Sequence, residues 1–309
     1  MNERIKKLTE YTLNGVMYVS PVKTEFDRED LFLSRTEIEV KRLCEYIKNQ
    51  QPMITEYSKL TGFFRCDGSV VGDAFTRVGH KATEEALNNF YLKPIDNLST
   101  MEWQHATADY KKVLEKGING IIGEIDESLK IYKREEKTEF LNGIKKVAEA
   151  LIEWAHICSE KAAKLAVEVA DNAHKENLIR LSKALLNVPE NKPSGFYEAA
   201  LSIYVCFSAD PDSVGTLDRY LTPFYRYDIA NGTITREEAK EYLQELFLMI
   251  QAATGIGNVN FTRGGESHFC VGGYMADGSD GFNEVSYLIV ESLMELPTYI
   301  PQITLRGSE

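Results

Sequence analysis

Between residues 140 and 169, apolar side chains recur at intervals of three and four: Phe140, Ile144, Val147, Leu151, Trp154, Cys158, Ala162, Leu165 and Val169. That spacing follows the 3.6-residue turn and predicts one long helix with a continuous core-facing stripe. Such a stripe must be covered, and the chain supplies further helices to cover it. "ENLIRLSKALLNVP" is a second periodic segment, stopped by Pro189. "PSGFYEAALSIYVCF" is a third, with a start signal at Pro193 and Ser194. "TITREEAKEYLQELFLMIQAA" opens with a capping box, Thr235 followed three residues on by Glu238. Upstream, "LSRTEIEVKRLCEYIKNQ" places Ile38, Val40, Leu43, Cys44 and Ile47 at helical spacing. The intervening "RCDGSVVGDAFTRVGH" is glycine-rich and reads as extended structure or a binding loop.

Towards the end the period changes. "SHFCVGGY" reads as a short buried strand, "ADGSDG" as a turn, "NEVSYLIVESLMEL" as a helix ending before Pro297, and "PQITLR" as a second strand. Strand, helix, strand is one βαβ unit, so the two strands are expected to be parallel with a right-handed crossover. Parallel sheets are normally covered on both faces and continued by further units. Little sequence follows this one, and the expectation is an α/β chain, predominantly helical, that forms part of something larger.

Around residue 108 another helix begins, with Thr107 as the expected N-cap and Asp109 in the first turn. His105 and Asp109 at its mouth offer a polar pair for a substrate hydroxyl or carboxylate. The plainer reading makes Asp109 a cap and His105 a satisfied loop residue. Gly117, Gly120 and Gly123 follow at i, i+3 and i+6. They predict a helix pressed against a neighbouring backbone.

The composition narrows the function classes. A net charge of −12 argues against nucleic acid or an anionic membrane as the main partner. Five scattered cysteines, Cys44, Cys66, Cys158, Cys206 and Cys270, contain no C-x-x-C pair, which fits a reducing cytoplasm and neither zinc nor a disulfide framework. Cys270 sits between apolar residues and reads as a small core residue. "TRGGESHFCVGGYMADGSDG" lacks both nucleotide-binding glycine signatures. His268 with Glu266, and His174 with Glu176, lack helical metal-ligand spacing, so no metal is expected. There is no signal-peptide stretch and no apolar run of membrane-spanning length.

Five blocks then read together in order: "HATADYKKVLEKGINGI", "VPENKPSGFYEAALSIYVCF", "LDRYLTPFYRYDIANGTITREEAKEYLQELFLMI", "GGYMADGSDGFNEVSYLIVESL" and "LPTYIPQITLR". Across residues 100–306 this order resembles the N-terminal part of the glycyl radical enzymes, the pyruvate formate-lyase-like family. The resemblance implies a ten-stranded α/β barrel of two antiparallel five-stranded halves, with helices outside and the barrel incomplete here. It implies a division into a helical and loop lead-in at 1–100, a helical shell at 101–260 and a βαβ barrel start at 261–309.

The resemblance also implies a chemistry. A radical S-adenosylmethionine activase installs a radical on a C-terminal glycine. A cysteine on a loop inside the barrel relays it to the substrate. Both positions lie beyond the matched blocks, and no cysteine here matches the catalytic one. The chain is therefore expected to hold no cofactor, carry no catalytic residue and be inert alone. The position of His105 is an arginine in pyruvate formate-lyase proper and a histidine in diol-dehydratase-like members, and Ser213 matches a pocket-lining serine of the latter. Together they imply substrate binding by His105 and Ser213, and a hydroxylated or amine-bearing small molecule. The expected partners are that substrate, the activase and a second copy in a homodimer. The rival readings are a non-catalytic assembly module or degenerate relic pairing through an exposed edge at 302–306, and a hydrolase using His105 and Asp109 as acid and base.

Overall fold

The computed structural model describes residues 1–13, 29–50, 52, 54–60, 107–209, 213–253, 268–298 and 301–307. The fold is mostly helical with one pair of parallel strands. In chain order the elements are α1 (Glu3–Leu13), a 3-10 turn (Glu29–Phe32), α2 (Arg35–Asn49), α3 (Tyr110–Ile131) and α4 (Glu135–Glu168). There follow α5 (Asn172–Leu185), α6 (Phe196–Phe207), α7 (Leu217–Asn231), α8 (Arg236–Ala253), β1 (Phe269–Gly272), α9 (Glu284–Glu295) and β2 (Ile303–Arg306). No described helix is long and apolar enough to cross a membrane. The glycine-rich "RCDGSVVGDAFTRVGH", together with Cys66, His105 and Glu266, lies outside the described residues.

Two helices form the centre. Every residue of α6 except the half-buried Glu198 is buried, and α8 buries an unbroken run from Leu246 to Ile250. Helices that are apolar all round belong in a core. The Thr235–Glu238 capping box forms as its spacing predicts: Glu238 N–H donates to Thr235 Oγ1 at 3.2 Å and Thr235 N–H donates to Glu238 Oε2 at 2.8 Å. Ser34 and Glu37 make a second box that starts α2. The start of α6 differs from expectation. Gly195, not Ser194, is the N-cap, and it has no side chain to offer. The buried carboxylate of Asp228 on α7 substitutes for it, accepting Phe196 N–H at 2.7 Å. A methyl on Gly195 would meet that carboxylate oxygen at 2.6 Å, so the glycine makes room for a cap borrowed from another helix.

The long stripe of α4 is partly corrected. Trp154, Cys158 and Ala162 are fully buried, and Trp154 Nε1–H donates to Gln50 O at 3.2 Å. Phe140 and Ile144, in the first turns, are exposed among the described residues. Periodicity marks the apolar side of a helix but not how far along it the neighbours reach.

The three glycines of α3 separate into different roles. Gly117 has φ 67° and ψ 170°, which breaks the helix into two. The N–H groups freed at the break, on Ile118 and Asn119, donate to Pro189 O and Glu190 O at 2.9 Å each. A Cβ on Gly117 would lie 2.5 Å from the Asn191 carbonyl carbon. Gly117 therefore provides the close backbone approach predicted for all three. Gly120 faces only its own helix, against Lys116, and Gly123 faces open space. The N-cap is also corrected: Asp109, not Thr107, caps α3, accepting Lys112 N–H at 3.1 Å.

A buried ionic knot ties α1 and residues 57–60 to α8. Arg4 Nε donates to Glu241 and Arg4 Nη1 to Glu245, each at 2.5 Å. Glu245 also accepts the N–H groups of Lys59 and Leu60 at 2.9 Å. Burial pushes the Glu241 carboxyl up, but Arg4, Asn2 and Lys59 outweigh it and hold it down at about 2.

Two outcomes follow. Gly117→Ala should cost about 2 kcal/mol or more, because a side chain is strained there and collides with backbone. Gly123→Ala should instead stabilise by up to about 1 kcal/mol. Urea titrations of both variants measure the contrast. The depressed Glu241 contributes stability that is complete above its ordinary value of 4.5 and is lost as pH falls towards 2. Glu241→Gln should flatten the acid limb of a stability profile within that window.

Candidate functional site: the polar face of a parallel array

β1 and β2 pair in parallel with Phe269 opposite Ile303, Cys270 opposite Thr304 and Val271 opposite Leu305. The array extends on the other side of β1. Gly215 bridges to Phe269 in parallel, with Cys270 N–H donating to Gly215 O at 2.9 Å, and Thr107 bridges in parallel to Ser213. The spatial order is Thr107, then 213–215, then β1, then β2. Alternation along a strand sends neighbouring side chains to opposite faces. Phe269 and Val271 are buried towards the helices, and the Phe269 ring stacks on Phe247 of α8 at 5.7 Å. His268, Cys270 and, by register, Thr304 share the opposite face, which is polar.

That face is organised by hydrogen bonds. His268 Nε2 and Thr304 Oγ1 lie 2.5 Å apart, and either can be the donor. Ser213 Oγ donates to His268 O at 2.6 Å and accepts Gly215 N–H at 3.1 Å. The serine hydroxyl is thus a relay inserted in the ladder between the 213–215 segment and the residue entering β1. Its one donor is committed, and one acceptor position stays open. Tyr110 OH, from the first turn of α3, donates to Ser213 O at 3.1 Å.

The C-terminal end of β1 is fixed by a buried carboxylate. Asp218, in the first turn of α7, is fully buried. It accepts Gly272 N–H at 2.8 Å, Ser286 Oγ–H of α9 at 2.7 Å and Arg219 N–H at 2.8 Å. One side chain therefore joins strand, preceding helix and following helix.

The residues singled out from sequence meet different fates. His105 lies outside the described residues. Asp109 is committed to capping α3, which removes the acid–base partner that a hydrolase would need. Ser213 sits on the array and is integrated in it. Cys270 is corrected: it is half-buried on the polar face, not a core residue, because its place in the alternation opposes Phe269 and Val271. Cys158 and Cys206 are sealed among helices, and burial pushes the Cys206 thiol up to about 12. No group of three metal-ligating side chains occurs among the described residues. Sequence reading passed over Thr304 and Asp218. The alternation of "QITLR" could have placed Thr304 beside Cys270, whereas nothing local marks Asp218 as a tertiary cap.

A groove of about 690 Å³ opens elsewhere, lined by Arg180, Lys183, Tyr197, Glu198 and Tyr227 among others. Its lining mixes both charges and includes no strand residue. The polar face is the better candidate, because it brings together residues from separate strands. Ser213→Ala should lower stability by about 1–2 kcal/mol, since it leaves His268 O and Gly215 N–H without their shared partner. Urea denaturation checks the size of the loss.

Comparison with known proteins accounts for this architecture. Residues 48–309 match the family described as pyruvate formate lyase-like. The isethionate sulfite-lyase of Bilophila wadsworthia is 30% identical over 230 residues, which cover 67% of this chain and 27% of that protein. The trans-4-hydroxy-L-proline dehydratase of Clostridioides difficile is 27% identical over 212 residues, 63% of this chain and 26% of that one. The glycerol-bound B12-independent glycerol dehydratase from Clostridium butyricum superposes with a TM-score of 0.79 at 20% identity, covering 99% of this chain and 47% of its own. The chain thus spans about a quarter of the length of the curated relatives it matches. With its helical shell, parallel array and matched span all pointing the same way, this chain belongs to the pyruvate formate lyase-like family of glycyl radical enzymes.

Proposed function

We propose that the chain forms the helical shell and first strands of the barrel that encloses the substrate in a glycyl radical lyase or dehydratase. The substrate would be a small metabolite bearing a hydroxyl or amine. The observation that carries this reading is the two-faced array: Phe269 and Val271 turn to the helices, while Ser213 Oγ, His268, Cys270 and Thr304 lie on or beside the polar side. A barrel that holds a small polar substrate needs that division. The relatives act on hydroxylated compounds by name, isethionate and trans-4-hydroxy-L-proline among them.

In this reading His105 and Ser213 contact the substrate. Ser213 does so through its open acceptor position, which suits a substrate O–H or N–H donor. A glycyl radical, installed by a radical S-adenosylmethionine activase, would supply hydrogen-atom abstraction. The described cysteines fit a lining role better than a carrier role. Cys158 and Cys206 are sealed, Cys44 is half-buried on α2, and Cys270 lies within a strand and not on a loop. In this reading none of these four cysteines is the carrier, and the chain alone turns over no substrate.

One observation favours a second reading, an assembly module. The outer edge of β2 has no strand partner among the described residues, and Leu305 is 57% exposed. Self-association through that edge would make Leu305→Glu monomeric in analytical ultracentrifugation.

The deciding measurement is electron paramagnetic resonance after anaerobic activation. The 309 residues alone should give no signal. The assembled enzyme containing them should give a carbon-centred doublet that air destroys. An assembled enzyme without that doublet would overturn the lyase reading.

A further inference from the structure

β1 and β2 end side by side, and two arginine side chains meet where they end. Gly272 and Gly273 leave the strand with φ of 74° and 78°, a conformation that suits glycine. A methyl on Gly273 would meet Arg306 Cβ and Cδ at 3.2 Å and Arg219 Nη2 at 3.5 Å. The two arginines thus approach one point from different elements, Arg219 from the first turn of α7 and Arg306 from the last residue of β2.

Arg219 is held in place. Its Nη2 donates to Gly272 O at 2.8 Å and to Tyr274 O at 2.9 Å. Its Nε is buried without a hydrogen-bond partner. Acids outnumber bases in this chain, 47 to 35, and Arg4, Arg226 and Arg236 each pair with a glutamate. Arg219 and Arg306 have no such partner among the described residues. The adjacent carboxylate of Asp218 is committed to Gly272 N–H, Ser286 Oγ–H and the Arg219 backbone. Two arginine side chains without an acidic partner among the described residues thus lie beside each other, and one keeps an unsatisfied N–H, an arrangement that an oxyanion would complete.

We infer that Arg219 and Arg306 form an anion-binding site at the C-terminal end of the β1–β2 pair, suited to the carboxylate or sulfonate of a small organic acid. Guanidinium forks match such oxyanions in shape as well as charge. The C-terminal ends of parallel strands are also where open α/β sheets take their ligands. Arg306 follows Thr304 by two positions, so by alternation both lie on the polar face, roughly 7 Å apart along the strand. The site goes beyond the reading above, which names a polar face but no charged anchor.

The test uses the whole chain and the arginine Nε–H resonances in nuclear magnetic resonance. Sodium sulfate and sodium acetate are titrated separately against sodium chloride at constant ionic strength. The Arg219 Nε–H signal should shift saturably with sulfate, acetate or both, and the response distinguishes tetrahedral from planar oxyanions. Arg306→Gln should weaken that binding about tenfold or more. Arg306→Lys, which keeps the charge without the fork, should fall between. An Arg219 signal that ignores both anions, responds equally to chloride or binds equally well in Arg306→Gln would overturn the inference. None of these outcomes depends on radical formation, so failure here leaves the lyase reading to its own test.

Discussion

The buried carboxylate of Asp218 is the contact on which the geometry of the strand pair depends. β1 is four residues long and cannot hold its own position. Its core-facing side is held by the stacking of Phe269 on Phe247. Its end is held by Asp218, which accepts Gly272 N–H and Ser286 Oγ–H together. A buried charge is costly unless its acceptor sites are filled, and here three donors from three segments fill them. That requirement makes the knot specific, because displacing any one segment leaves a charge partly unsatisfied. β2 takes its register from β1, so Thr304 and Arg306 inherit their positions from the same knot.

Seen this way, the block "LDRYLTPFYRYDI" is chiefly structural. Asp218 locks the strand end and Asp228 caps α6 from a neighbouring helix. The signature that reveals kinship therefore records tertiary hydrogen bonds more than chemistry. The same holds for Ser213, whose hydroxyl completes the ladder between Gly215 and His268 before it can serve anything else. A residue can line a site and still have most of its bonding capacity committed to building it.

Much of this was legible in the sequence. The helical periods of α4, α5 and α8 were clear, as were the Thr235–Glu238 box and the strand–helix–strand order with its parallel pairing. These features rest on interactions within a few residues, or on a topological rule that leaves little choice. The failures share the opposite property. Pro193 and Ser194 looked like the start of α6, but its N-cap is Gly195 and its capping carboxylate is Asp228, some thirty residues away in sequence. Cys270 looked like core because its neighbours are apolar, yet a strand alternates and its partner is Thr304. The three glycines of α3 looked equivalent, but one alone meets the backbone of residues 190–191.

By itself, then, the sequence determined most of the helical segments, the capped start of the helix at 236–253, that its last two strands run parallel, and which family the ordered blocks resemble. Periodicity, local caps and the crossover rule need no partner from afar. The tertiary structure alone decided which face of β1 is polar, which glycine breaks α3, and that Arg219 and Arg306 converge over Gly273. Those outcomes depend on contacts between residues distant along the chain, and no local pattern encodes the position of a remote neighbour.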